Sequence, residues 1–545
     1  MNFQKYLLCI CFLCLFSCKE NRKPGIETSK KEEAVAIEEL TSATAIKAKI
    51  PQLSEAVGTI NLLQPELIDS VYSNCEYKPV WTQRAFREDL YRSIENAKED
   101  GLEPKDYHLE YLKKSLSHLS ELSEEERSLL EIILTDAFLG LASDYSSGKL
   151  DPSKMYEIWG VDRNKPNLPG LLQYGLDEQD IIAAVDSVIP KHPVYLGLKK
   201  SLKEYRELAE KENEVIQISE KGESIKPGEK DPRVPNIKKR LKALGFWDAE
   251  TTDSLIIYDE NIADAVIKFQ ERNGIETDGV IGGGTIKTLN KTYNDRKKQI
   301  IANLERWRWY PRDLGDQYII VNIANYRLSL VKDGDTIATH RTMVGTEARK
   351  TPVFSDEVEH IVYNPTWTIP PTIKRKDVIP SAAKDPGYIN RKNFSIFNRQ
   401  GERLDPHEID WTSAKVKSYT FRQEAGSSNP LGLVKIIYPN PHLIYLHDTP
   451  SKSLFNKNLR AQSSGCVRVE GVLDLAKQLL SDQEKYSEEK IQEILASGKT
   501  TTIKVTQKVL VHHFYWTAWR EANHTYFAED IYKRDATIYK LLTKE

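Results

Sequence analysis

From about Leu62 to Tyr205, apolar residues return every three or four positions, as in Leu129, Leu130, Ile133, Leu134, Phe138 and Leu141. That spacing lines one side of a helix and predicts an all-helical region over 56–208. Residues 209–233 are charged and carry the breakers Gly222, Pro227, Gly228 and Pro232, so they read as a linker. Helical spacing returns over 234–292, where Ile237, Leu241 and Leu244 stop at Gly245, and Ile262, Val266 and Phe269 stop at Gly274. A helical connector is expected over 293–317.

From Tyr318 the period becomes two. Ile319, Val321 and Ile323 alternate with Ile320 and Asn322, and Leu328 to Val331 run into the turn pair Asp333-Gly334. Val434 to Tyr438 and Leu443 to Leu446 flank Pro439-Asn440-Pro441 and read as a hairpin. Alternation puts Leu443, Tyr445 and His447 on one face, with His447 ending its strand. Residues 374–424 are polar and have neither period, yet hold Trp411, Tyr419 and Phe421; they read as a lid-like insertion. The whole is a multidomain α+β chain whose mainly β part spans 318–506.

The first residues differ. After Lys5 comes the apolar run from Tyr6 to Phe16, about half the ~20 residues a membrane-spanning helix needs, and it suits an export signal. Its end, Leu15-Phe16-Ser17-Cys18, resembles a bacterial lipobox. This implies a signal peptide at 1–17, a lipid on Cys18 that anchors the protein to a membrane, and a location on the periplasmic side of the envelope. Residues 18–55, rich in Lys, Glu, Ala and Thr, read as a flexible tether. Lys and Arg number 77 against 80 Asp and Glu, a net charge of −3, which leaves no basic field for nucleic acid.

Four of six cysteines lie in the leading segment, leaving Cys75 and Cys466. Cys75 has no nearby histidine and reads as structural. Cys466 stands in Ser463-Ser464-Gly465-Cys466-Val467-Arg468, nineteen positions after His447, and Val472, Leu475, Ala476, Leu479 and Leu480 predict a helix just beyond. A helix start there favours thiolate over thiol. His447 is the expected proton acceptor and donor, amides at Gly465 and Cys466 the expected oxyanion hole, and Arg468 a fork for a carboxylate or carbonyl. Trp367 and Tyr445 are candidate cleft walls, and His442 a turn residue. Asp448 follows His447 but adjacency alone does not make it the orienting group. Beyond the leading apolar segment no CxxC spacing occurs, there is no HExxH, and His512 and His513 point to opposite faces of an extended run, so no metal and no cofactor are expected.

His447 followed by S-S-G-C-V-R resembles the signature of the YkuD-type L,D-transpeptidases, in the long YcbB-like branch, with Ser464 where the usual form has a second histidine. Phe269-Gln270 to Gly282, with Thr285 and Leu289, resembles a three-helix peptidoglycan-binding module, here with a long first loop from Asp248 to Asn261. Tyr77 to Trp81, Asp100-Gly101-Leu102 and Asp106-Tyr107-His108 look like that branch's helical scaffold. Gly345, Thr351-Pro352 and Asn364 to Trp367 look like its catalytic strands. Tyr515 to Trp519 and Asp530-Ile531-Tyr532 look like its tail, so 507–545 is expected to pack on the scaffold.

The resemblance, covering about Leu62 to Asp535, implies a cell-wall enzyme that forms 3→3 crosslinks between peptidoglycan stems. Cys466 would attack a donor tetrapeptide stem to give a thioester, and the acyl group would pass to an acceptor stem. It implies catalytic Cys466, His447 and Gly465, and substrate contacts from Arg468, Ser464, Tyr445 and Trp367. An L,D-carboxypeptidase and a catalytically silent wall-binding scaffold are the alternatives. An NlpC-type peptidase has its Cys before its His, the reverse of this order.

Overall fold

A computed structural model describes residues 40–53, 56–57, 60–212, 214–248, 256–480 and 484–544. Cys18, the signal segment and most of the tether lie outside these. The described end of the tether is not loose. Ser42 caps the helix Ala43–Lys49, Leu40 and Ile46 are buried, and Glu124 accepts hydrogen bonds from the Thr41 hydroxyl and the Ser42 amide, both at 2.9 Å. Two apolar residues at the right spacing dock this turn on the helical region despite its polar composition.

The helical region is built around Glu124–Ser147, started by a reciprocal Ser123/Glu126 capping box. This helix is buried nearly all round, as a helix encircled by others must be. The expected linker is part of the small module. Ile218 and Ile225 are buried in its core with Ile237, Leu241, Val266 and Phe269, and Ile225 bridges Ile281. Three short helices, Val234–Ala243, Glu260–Arg272 and Gly283–Leu289, leave a gap that these two isoleucines close.

The expected connector is the helix Tyr293–Trp309, which sits at the centre of the protein rather than between parts of it. Its Arg306 and Arg308 are fully buried and neutralised by Asp535 at 2.5 Å and Glu305 at 2.7 Å.

Twelve strands form the main sheet: β1 (Trp159–Gly160), β2 (Gln317–Asn322), β3 (Arg327–Lys332), β4 (Asp335–Gly345), β5 (Val353–Glu357), β6 (His360–Tyr363), β7 (Val434–Ile437), β8 (Leu446–His447), β9 (Ala461–Ser463), β10 (Val467–Val469), β11 (Thr501–Lys504) and β12 (Leu510–Phe514). Their order is β11-β6-β7-β8-β10-β4-β3-β2-β12-β5-β1, with β9 also on β4. The tail therefore does more than pack on the scaffold. Its β12 fills the sheet interior between β2 and β5, while Ala518–Phe527 and the helix Asp535–Thr543 lie on the helical region. The scaffold in turn lends β1 as an edge strand. The β12 histidines do diverge: His512 meets Ser355 and Leu314, and His513 meets Tyr438.

The insertion is a folded unit that starts at Trp367, earlier than the expected Lys374. A four-stranded sheet, with Trp367–Thr368 at one edge, and short helices enclose Ile369, Ala382, Ile389, Ile396 and Phe421. Its elements run two to six residues, too short for either period to register in the sequence.

Candidate active site

The nucleophile candidate occupies the turn between β9 and β10. Ser463 Oγ accepts from the Gly465 amide at 3.1 Å and donates to the Cys466 carbonyl at 2.6 Å. Gly465 has φ +122°, a region open to glycine and strained for other residues. Its carbonyl accepts from Thr351 Oγ1 at 2.7 Å, and that hydroxyl also takes the Gly345 amide at 2.8 Å. The tail's Tyr532 completes the support, donating to the Gly345 carbonyl at 2.8 Å and accepting the Thr351 amide at 3.0 Å.

Two expectations change here. The predicted helix, Val472–Gln478, begins beyond β10, six residues after Cys466, so no helix terminus acts on the sulfur. Burial instead pushes the thiol up to about 11, opposed in part by the Tyr445 amide and phenol and by the charges of Arg468 and Lys435. Sγ donates to the Leu443 carbonyl at 3.6 Å. The Gly465 amide is committed to Ser463, so it is not the free oxyanion donor; the Cys466 amide makes no hydrogen bond among the described residues.

His447 comes from β8. Its Nδ1 donates to the Asp448 main-chain carbonyl at 2.5 Å, which leaves Nε2 with the lone pair. The Asp448 side chain turns away to the Leu433 amide and Lys452. Burial, then the nearby Arg468 charge, pulls the imidazole down to about 3. Sheet register explains the setting. Lys435 faces His447, His447 faces Arg468 and Arg468 faces Met343 across β7, β8, β10 and β4. Residues in register share a face, and Tyr445 and Cys466, just outside these strands, line the same cleft as His447 and Arg468. The imidazole thus lies between two cations. Lys435 was not foreseen; alternation with buried Val434 and Ile436 is the signal that places it there.

Trp367, Tyr445, His447, Ser464, Cys466 and Arg468 all line one cleft of about 670 Å³. The Tyr445 phenol interacts with both Cys466 and Trp367. Arg468 Nε is buried and finds no partner among the described residues. Ser464 Oγ accepts from Arg349 at 3.0 Å, and Arg349 makes a two-pronged pair with Asp377 of the insertion, both at 2.7 Å. Leu443, expected on the strand face, is instead in a left-handed turn at φ +57°. Asn440 Oδ1 holds that turn through the His442 and Ile444 amides, each at 3.1 Å. Cys75 is away from the cleft, its Sγ bonded to main-chain carbonyls of Tyr72 and Lys78.

Three family models match the chain: a scaffold domain over 66–202, a "Putative peptidoglycan binding domain" over 230–289, and the YkuD L,D-transpeptidase catalytic domain over 316–505. A "Putative L,D-transpeptidase" of Haemophilus influenzae is 42% identical over 221 residues, 40% of this chain. The match spans 45% of that relative, under half its length. A crystal structure of an L,D-transpeptidase from Xylanimonas cellulosilytica aligns at 14% identity over 54% of this chain and 98% of that one. The TM-score is 0.18. Cys466 and His447 fall inside the matched catalytic segment, and the chain carries a YkuD-family L,D-transpeptidase catalytic domain and a peptidoglycan-binding domain on a helical scaffold.

Proposed function

We propose that the protein is a peptidoglycan L,D-transpeptidase that forms 3→3 crosslinks through a thioester on Cys466. The observation that carries the reading is that Cys466 and His447 line one cleft, with His447 Nδ1 committed to a carbonyl and Nε2 left with the lone pair. The resting pair is a neutral thiol and a neutral imidazole. A thiolate–imidazolium pair would put a third cation beside Lys435 and Arg468. Proton transfer is therefore coupled to attack. As Sγ bonds to the carbonyl carbon of the donor stem's third residue, negative charge moves to its oxygen, where the Cys466 amide and Arg468 receive it. His447 takes the thiol proton and returns it to the leaving D-Ala nitrogen. The acceptor amine then attacks the thioester, the C–N bond forms, the C–S bond breaks and Cys466 regains its proton.

The peptidoglycan-binding domain would hold the enzyme on its polymer, and a lipid on Cys18 would hold it at a membrane on the periplasmic side. Purified protein incubated with tetrapeptide muropeptides tests the reading: wild type should give 3→3 dimers and Cys466→Ala none. A dimer from Cys466→Ala sinks the mechanism, and tripeptide alone from wild type assigns a carboxypeptidase.

A further inference from the structure

The cleft has two unlike walls. On the insertion side the lining carries the cations Lys376 and Arg349, the latter paired to Asp377 of the insertion, which lies outside the cavity lining. The scaffold supplies the opposite wall with two consecutive residues, Glu157 and Ile158. Glu157 is the only carboxylate among the described residues that line the cavity. Ile158 is 43% exposed and Leu443, which lines the same cleft, 57%.

This wall is rigid. Tyr156 is buried edge-on against Trp159, with ring centroids 5.1 Å apart, and against Trp309 at 5.9 Å. Trp159–Gly160 is paired to β5, and the Trp159 indole donates to the Val161 carbonyl at 2.7 Å. Glu157 and Ile158 are thus held outward by the core behind them. The wall also adjoins the nucleophile turn. Glu157 pairs with Lys350 at 2.8 Å, and Lys350 precedes the Thr351 that holds the Gly465 carbonyl.

We propose that this scaffold wall is the acceptor subsite: Ile158 and Leu443 lie along an aliphatic side chain whose terminal ammonium is drawn to Glu157. The inference rests on the transpeptidase reading and specifies which wall receives the second stem. Glu157 has a side chain 75% exposed, and an exposed ion pair of this kind is worth little, so an incoming ammonium exchanges with Lys350 at small cost. Lys350 is then free for a carboxylate on the same carbon as the amine, which makes a diamino-acid terminus the matching ligand. The ammonium gives one proton to solvent at the cleft mouth. The free amine forms the new C–N bond, and its second proton passes through His447 to the departing sulfur.

The test uses the full chain with a tetrapeptide donor and varied amounts of a diaminopimelate-bearing acceptor stem, and follows 3→3 dimer and tripeptide together. Glu157→Gln and Glu157→Lys should raise the acceptor KM roughly tenfold or more and lower the dimer-to-tripeptide ratio in step, with Ile158→Ser moving it the same way. Unchanged acceptor KM and ratio in Glu157→Lys overturn the assignment, as does a loss confined to donor acylation, which would make this the donor wall. Failure of the wild-type protein to acylate Cys466 at all would overturn the parent reading instead.

Discussion

Thr351 Oγ1 donates to the Gly465 carbonyl at 2.7 Å, and through this bond the C-terminal tail reaches the nucleophile, because the Thr351 amide is itself held by Tyr532. Tyr532 is nearly buried, so its hydroxyl has no water to replace lost partners. Tyr532→Phe leaves the Thr351 amide and the Gly345 carbonyl unsatisfied, at about 1–3 kcal/mol. Carbapenem acylation of Cys466, followed by mass shift, should slow by about tenfold or more as the turn loses its fixed geometry. A Tm loss with an unchanged acylation rate would reduce Tyr532 to a purely structural role.

Acid should destabilise the fold through imidazoles. Burial pulls His447 and His513 down to about 3, and His192 and His512 to about 4. Below their ordinary 6.5 the unfolded chain binds protons that the native protein refuses, so stability is full above pH 6.5 and is lost as pH falls towards 4 and 3. One pH unit into that window costs roughly 1 kcal/mol per histidine. Melting followed from pH 7.5 to 5 should fall steadily, and His447→Gln should flatten the slope. A Tm independent of pH over that range would refute the neutral assignment.

Some of this was legible from residue spacing and some was not. Glu124–Ser147, the β2–β3 strands with their Asp333-Gly334 turn, and the convergence of His447 and Cys466 follow from spacing and motif. No helix dipole reaches Cys466 because the three residues of β10 stand between it and the helix at Val472, and such a short strand has no period of its own. The bond from the Gly465 amide to Ser463 Oγ, two residues back, depends on the folded turn and has no signal in the sequence. Ile218 and Ile225 are single apolar residues in charged surroundings, and nothing local distinguishes a plug from a stray surface isoleucine.

Those plugs can be tested. Ile218 and Ile225 are 3% and 2% exposed in a core distinct from the main one. Ile225→Asp buries an unpaired carboxylate and should cost at least about 2 kcal/mol. Limited proteolysis should then cut within 214–292 while the catalytic part stays intact and still takes a carbapenem. Wild-type protease resistance in the variant would mean that the module closes without the segment 214–233.

Arg349 joins the insertion to the nucleophile turn, bonding Asp377 on one side and Ser464 on the other. The Arg349 charge holds the Asp377 carboxyl below its usual range, led by their hydrogen bonds. The pair therefore contributes above the ordinary carboxylate pKa and is lost as pH falls below it. With side chains 24% and 42% exposed it is worth about 0.5–1 kcal/mol and is weakened by salt. If this pair keeps the insertion seated over the thioester, water gains access when it opens. Raising salt from 0.05 to about 0.5 M should then increase tripeptide relative to dimer in the wild type. Asp377→Asn should show the high ratio at every salt concentration, because the salt-sensitive contact is already gone. Equal ratios in wild type and Asp377→Asn at low salt would show that the insertion is seated by its apolar root at Trp367 and Ile373 instead.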